Sequence, residues 1–305
     1  TDEARRRLKI KVRGDGVYQV DALTGEAILL SRPTVGGWGE YESLNPFHPT
    51  EIPTTFAEVE QRIPPPMPFD RRRFKQEGRD RLANLLLSRY AADYFPFAHA
   101  TGPQWVCYHL WGFEEWMMMV ASDPALVRFA SQRYLAYSLN EIREAAALGA
   151  RGIWIEDCMV DMISRAAYEA LNLPLIQTMV EEIRSLGMRS IYYFCGDPKG
   201  KLELLLATGA DALALEESKK GFDIDIAEVA EYVDGRCALL GNLDAIHLLP
   251  HASEEELRRE IERQIQAGWR NRGRFVMSIG SPVTPGTTPE RVRRYVDITH
   301  ALGRR

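Results

Sequence analysis

Residues 152–197 read GIWIEDCMVDMISRAAYEALNLPLIQTMVEEIRSLGMRSIYYFCGD, two short apolar runs on either side of an amphipathic stretch that closes on Leu-Gly. GIWIED and SIYYFCGD are nearly continuous in apolar residues, as strands covered on both faces must be. The Gly before the second run marks a helix C-terminus. Strand, helix and strand in this order predict one unit of a parallel sheet. The rhythm extends in both directions, through FPFAHATGP (95–103), DALALEES (211–218), CALLGNLD (237–244) and RFVMSIGS (274–281). The intervening helices end in similar glycines: AALGARG, LATGADA and IQAGWRN. No GxGxxG or GxxxxGK[ST] follows any of these strands, which removes the main support for an open nucleotide-binding sheet. The predicted fold is a (β/α)8 TIM barrel, with six units countable from residue 95 and the N-terminal part left to supply the others.

The first 70 residues differ from the rest. LKIKVRGDGVYQVDALTGEAILLSRP alternates polar and apolar residues around GDG and LTGE, a hairpin signature. The following GGWGEYESLNPFHPTEIP reads as an ordered loop, and PPPMPF (64–69) stops the helix predicted over TFAEVEQRI. We therefore expect one domain over 1–305, with an irregular extension at 1–70 and β/α repeats at 71–305. Leu82, Leu85, Leu86 and Tyr90 have helical spacing. A long helical region is predicted from Trp105 to Gly149, with Asp123 as a cap and Pro124 at a first helical position.

A net charge of -5 over 305 residues, with 27% charged and 45% hydrophobic, describes an ordinary globular chain and excludes a nucleic-acid footprint of clustered positive charge. The four cysteines are scattered without a CxxC pair, so reduced thiols and a cytoplasmic location are expected. No run approaches the roughly 20 apolar residues of a membrane span. WVCYHLWGFEEWMMMVA is interrupted by His109, Glu114 and Glu115 and reads as a buried helix. No secretory leader is legible.

A barrel of this kind works at the C-terminal ends of its strands. Those ends carry His99, then Glu156 with Asp157 and Cys158, Tyr193 with Cys195 and Asp197, Glu216 with Glu217, Asn242 with Asp244, and Ser278 with Ser281. Together they predict a polar mouth in which burial and mutual repulsion raise carboxylate pKa values. Each also has a plainer reading. Asp157 could cap the next helix, His99 could be a core histidine, and Cys158 and Cys237 read as packing residues.

In order, GFEEWMMMVASDPALVRF, GIWIEDCMVDMISRAAYEALNLPLI, YYFCGD, ALLGNLDAIHLL and FVMSIGSPVTPGTTPERVRRYV resemble the uroporphyrinogen decarboxylase superfamily, especially its methyltransferase-like branch. The resemblance runs from about Trp105 to the C-terminus. It implies the barrel, a pocket at its C-terminal mouth, and a zinc ion held by the His and Cys of an HxCG strand end and the Cys of the closing motif. Residue by residue, those positions are Tyr193, Cys195 and Ser281, so the usual zinc site is not expected, and the one route left to the ion is a site rebuilt from Glu156, Asp157 or His99 with Cys195. The arginine-bearing "RQAGRY"-like segment of the decarboxylase branch has no counterpart.

The leading expectation is a divergent methyltransferase or demethylase. It would move a methyl group between a small methylated compound, or tetrahydrofolate, and a corrinoid on a partner protein. The expected catalytic residues are Glu156, Asp157, Asp197 and Tyr193. The expected substrate contacts are His99, Trp38, Trp154, Cys195, Glu216, Asn242, Asp244 and Ser281, with no metal ligand. A homodimer is compatible with this reading. The alternatives are a decarboxylase of a porphyrinogen or other carboxylated substrate, and a non-catalytic ligand-binding barrel.

Overall fold

Parallel strands that follow one another in sequence can pair in sequence order only if each connection packs back on the same side, and that is the arrangement found. In the computed structural model, residues 2–14, 16–30, 49, 51–218 and 221–303 are described. The N-terminal strands β1 (Leu8–Arg13), β2 (Gly16–Asp21) and β3 (Ala27–Leu30) form an antiparallel sheet of their own. The strands β4 (Phe97–Thr101), β5 (Gly152–Asp157), β6 (Arg189–Phe194), β7 (Ala212–Leu215), β8 (Ala238–Leu240) and β9 (Phe275–Val276) form a six-stranded sheet in the order β4-β5-β6-β7-β8-β9. Every pair is parallel, and no strand order reverses. This is the order of a (β/α)8 barrel, whereas a doubly wound sheet would reverse at a switch point. The predicted hairpin is present with one strand more than expected. Among the described residues these N-terminal strands pair only with one another and add none to the parallel sheet.

Three helices, Pro103–Trp111, Phe113–Ser122 and Pro124–Leu148, occupy the region predicted as helical from Trp105 to Gly149. The first break falls at Gly112, whose φ of 78° suits a glycine. The second falls at Asp123, which caps the long helix by accepting from Leu126 N at 3.0 Å, with Pro124 next to it as expected. The helix Arg81–Tyr90 has the predicted apolar stripe, but Leu82, Leu85, Leu86 and Tyr90 are all exposed among the described residues.

The alternation of side chains along each strand separates two apolar layers. Ile153, Ile155, Tyr192, Phe194, Leu213, Leu215 and Leu239 face the helices and join Trp111, Trp116 and Ile142 in the larger core. Tyr193, Cys195, Ala212, Ala214 and Leu240 face the barrel interior, with Trp154, Cys158 and Ile191 packed against them.

Asp157 belongs to the outer layer. It is fully buried, and its Oδ2 accepts from Asn172 Nδ2 at 2.7 Å and Tyr192 Oη at 2.8 Å. Tyr192 and Tyr168 hydroxyls lie 2.9 Å apart, completing a buried polar network between sheet and helices. Two donors do not offset the loss of water, and burial raises the Asp157 pKa from 3.8 to about 7. The folded state therefore holds this proton at a pH where the unfolded chain has released it. The stabilisation by the protonated acid is complete below about pH 4 and is lost as pH rises to about 7, a change on the order of 4 kcal/mol. Asp157→Asn imitates the protonated acid. Urea unfolding between pH 4 and 8 is expected to show a falling stability for the parent that is flattened in the variant.

Candidate active site

Counting inward-facing positions toward the C-terminal ends gives Phe97 and His99 on β4, Trp154 and Glu156 on β5, and Tyr193 on β6. With Ser278, Ile279, Gly280, Ser281 and Pro282 after β9, these residues line one cavity of about 400 Å³. Residues from the first and last strands of the sheet thus meet around one space. Register explains the grouping, because His99 is opposite Trp154 and Glu156 is opposite Tyr193. A larger hollow of about 680 Å³ opens at the N-terminal ends of the strands, lined by Phe95, Phe97, Ile191, Leu240 and Val276. Two arginines of that hollow are engaged in ion pairs, Arg189 with Asp211 and Arg236 with Glu203. Enzymes of this architecture do their chemistry at the opposite mouth.

The cavity wall is aromatic and acidic. Phe97 and Trp154 stack with centroids 5.9 Å apart, and Trp154 meets Tyr193 at 4.9 Å. His99 Nε2–H donates to Glu156 Oε2 at 2.5 Å, with both side chains partly exposed to the cavity. The hydrogen bond to Glu156 raises the His99 pKa above 6.5, and the same bond lowers that of the carboxyl. The pairing thus favours an imidazolium on a carboxylate over the neutral pair. The described lining residues include no lysine or arginine.

Beside this wall the strand ends bring two sulfurs together. Asp157 is opposite Phe194 in the register, so Cys158 and Cys195 come next, and their Sγ atoms are 2.9 Å apart. Cys158, read from the sequence as packing, lies with its thiol 3.6 Å from Glu156 Oε1. The neighbouring Cys158 thiol, with burial, pushes the Cys195 thiol well above its ordinary value. The turn that follows Cys195 is held by Gly196, whose N–H donates to Glu216 Oε2 at 3.0 Å.

The remaining predicted residues fall in different places. Asn242 donates its amide to the carbonyls of Glu216 and Ile224, both at 3.2 Å, and so ties two loops together. Asp157 points away from the cavity, into the network described above. Asp197 accepts from Lys199 N at 2.9 Å, a local turn contact. Asp244 accepts from Ile246 N and His247 N at 2.8 and 2.7 Å, serving the following turn in the same way. Trp38 lies outside the described residues. Phe97 was missed, although its spacing of two from His99 puts it on the same face.

The zinc site implied by the resemblance can be tested here. Burial raises the Tyr193 pKa far above the ordinary phenol value, and its hydroxyl donates to the Gly280 carbonyl at 2.8 Å. It is held as a neutral phenol. Ser281 is a buried hydroxyl where the family has a thiolate. The His-Cys-Cys positions do not fit zinc in this chain.

The family model described as "Uroporphyrinogen decarboxylase (URO-D)" matches residues 58–302. The chloroplastic uroporphyrinogen decarboxylase of Zea mays is 27% identical over 186 residues, which are 60% of this chain and 45% of that protein. The uroporphyrinogen decarboxylase of Xanthomonas euvesicatoria is 28% identical over 164 residues, 52% of this chain and 45% of its own length. The chain thus spans about half the length of the curated relatives it matches. A solved methyltransferase from Methanosarcina mazei superposes with a TM-score of 0.63 at 19% identity, covering 72% of this chain and 62% of that one. At that identity the likeness establishes the fold alone.

The turn after β6 can be tested by two alanine substitutions. Gly196 has a φ of +106°, and an added Cβ would lie 2.1 Å from Asp161 Oδ2. Gly200 also has positive φ, +75°, but nothing lies within 4 Å of its Cβ position. Gly200→Ala is expected to cost about 1 kcal/mol from backbone conformation alone. Gly196→Ala is expected to cost on the order of 3 kcal/mol, with the difference measured by chemical denaturation.

Proposed function

The chain belongs to the uroporphyrinogen decarboxylase family, and from that premise we propose that it is a divergent methyltransferase. In this reading it moves a methyl group between a small methylated compound, or a folate, and a corrinoid carried by a partner protein, without the family's His-Cys-Cys zinc ligands. The observation that carries the reading is the composition of the mouth cavity: an aromatic wall of Phe97, Trp154 and Tyr193, one imidazole–carboxylate pair, and no lysine or arginine among the described lining residues. The faces of the aromatic rings attract a methylated onium group, whereas among the described lining residues a polycarboxylate would find only His99 to balance its charges.

His99 and Glu156 divide the work. Glu156 holds the imidazole in place and favours its protonated form, from which the ring can pass a proton to a departing nitrogen or sulfur as its bond to the methyl carbon breaks. A tertiary amine released from a quaternary ammonium needs no proton. For that donor the aromatic wall and the nearby carboxylate supply orientation and charge balance. Tyr193 contributes a ring face and, through Gly280, fixes the segment after β9 that closes the cavity.

A second reading, decarboxylation of a carboxylated substrate, is favoured by the names of the curated relatives. The two readings separate in one assay. Incubation with methylcob(III)alamin and a panel of thiols, amines and folate, followed by visible absorption, is expected to show loss of the methylcobalamin spectrum with at least one acceptor. Glu156→Gln or His99→Ala is expected to slow that loss by roughly 100-fold, the usual yield of a positioned acid. No demethylation with any acceptor, together with carbon dioxide release from uroporphyrinogen, would overturn the methyltransferase assignment.

A further inference from the structure

The sulfurs of Cys158 and Cys195 meet for a structural reason independent of the methyl-transfer reading. They continue the β5–β6 register by one step, so their backbones are about 4.8 Å apart. Strand alternation turns both into the interior with Glu156 and Tyr193. The two sulfurs and a Glu156 oxygen lie within 4.8 Å of one another. Around a tetrahedral Zn²⁺, metal–sulfur bonds of about 2.3 Å and metal–oxygen bonds of about 2.0–2.2 Å set a sulfur–sulfur edge of about 3.8 Å. The observed 2.9 Å opens to that length by a displacement of under about 1 Å, within the reach of side-chain rotation.

Glu156 is also placed as a supported ligand would be. Its Oε2 is held by His99 at 2.5 Å, and Oε1 faces the Cys158 thiol at 3.6 Å. Carboxylates that bind metals are commonly braced in this way by an outer partner. On the cavity side the described lining adds no lysine or arginine, and His99 is the base that faces Glu156 there. The other two cysteines, Cys107 and Cys237, are buried in the layer between sheet and helices, apart from this group.

We propose that Cys158, Cys195 and Glu156 form a binding site for a thiophilic divalent cation of the zinc class, with its fourth position open to the mouth cavity. Only Cys195 coincides with a family ligand position. The second thiolate comes from the neighbouring strand end, where the family motif carries no ligand. Thiolate pairs with one carboxylate suit Zn²⁺ over Mg²⁺ or Ca²⁺. Binding removes one proton from each thiol, so two protons leave as one cation enters and no oxidant or reductant is needed.

The same strand spacing is within reach of a disulfide, so the experiment must separate the two. Reduced, chelator-treated protein is titrated anaerobically with Co²⁺ alone, and the absorption spectrum is recorded. Saturation at one Co²⁺ per chain is expected, with a thiolate-to-cobalt charge-transfer band and the intense visible bands of tetrahedral cobalt. Cys158→Ser and Cys195→Ser are each expected to remove about half of the charge-transfer intensity. Glu156→Gln is expected to keep that band while weakening affinity at least tenfold, and Tyr193→Phe and Ser281→Ala to leave the spectrum unchanged. Absence of the band in the parent protein, with both thiols reactive to a thiol reagent, would overturn the proposal without reliance on any variant. So would formation of a Cys158–Cys195 disulfide that persists under the titration conditions, or a band that survives Cys158→Ser at full intensity.

Discussion

The parallel register of β5 against β6 is the constraint on which the rest depends. It places Glu156 opposite Tyr193 and Asp157 opposite Phe194. With a side-chain period of two, it sends adjacent residues to opposite sides of the sheet. Glu156 and Tyr193 go inward to the cavity, and Asp157 and Tyr192 go outward to the helices. One side becomes the wall of the candidate site and the other an anchor. The anchor is costly in isolation, because a carboxyl is taken out of water with two donors and one oxygen left without a partner among the described residues. It holds the acid protonated up to about neutral pH, and in return it ties Asn172 and Tyr192 to the strand that carries Glu156.

Much of this was legible in the sequence, for a physical reason. Strands buried on both faces have a distinctive apolar density, and glycines closing the helices mark the units, so the succession of strands from β4 to β9 could be read directly. The polar residues at their ends also identified the mouth. Alternation within a strand end was harder to use. Glu156 and Asp157 look like a pair of catalytic carboxylates in one dimension, whereas the pleat separates them. Cys158 looks like a filler until the neighbouring strand is laid beside it and Cys195 appears at the same level.

Other differences have local causes. Asp197 and Asp244 stand just past their strands, where a short acceptor serves the turn that reverses the chain, and both bond to backbone N–H groups two or three residues on. The long helical region breaks where Gly112 takes a positive φ and Asp123 starts a new helix, which periodicity alone does not reveal. The apolar stripe of Leu82, Leu85 and Leu86 was readable as helical, but spacing specifies a face and says nothing of what covers it.

The family frame and the site chemistry then point in different directions, and the difference lies in charge. A chain of this family acting on a polycarboxylate needs cations at its mouth, while the described cavity has aromatic faces, a carboxylate and one paired imidazole. The most direct test is calorimetric binding of two probes to the same purified protein: a quaternary methylammonium compound and uroporphyrin. Saturable binding of the ammonium compound, weakened at least tenfold by Trp154→Leu, with no detectable uptake of uroporphyrin, is the expected result. Tight binding of uroporphyrin with none of the methylammonium compound would contradict it.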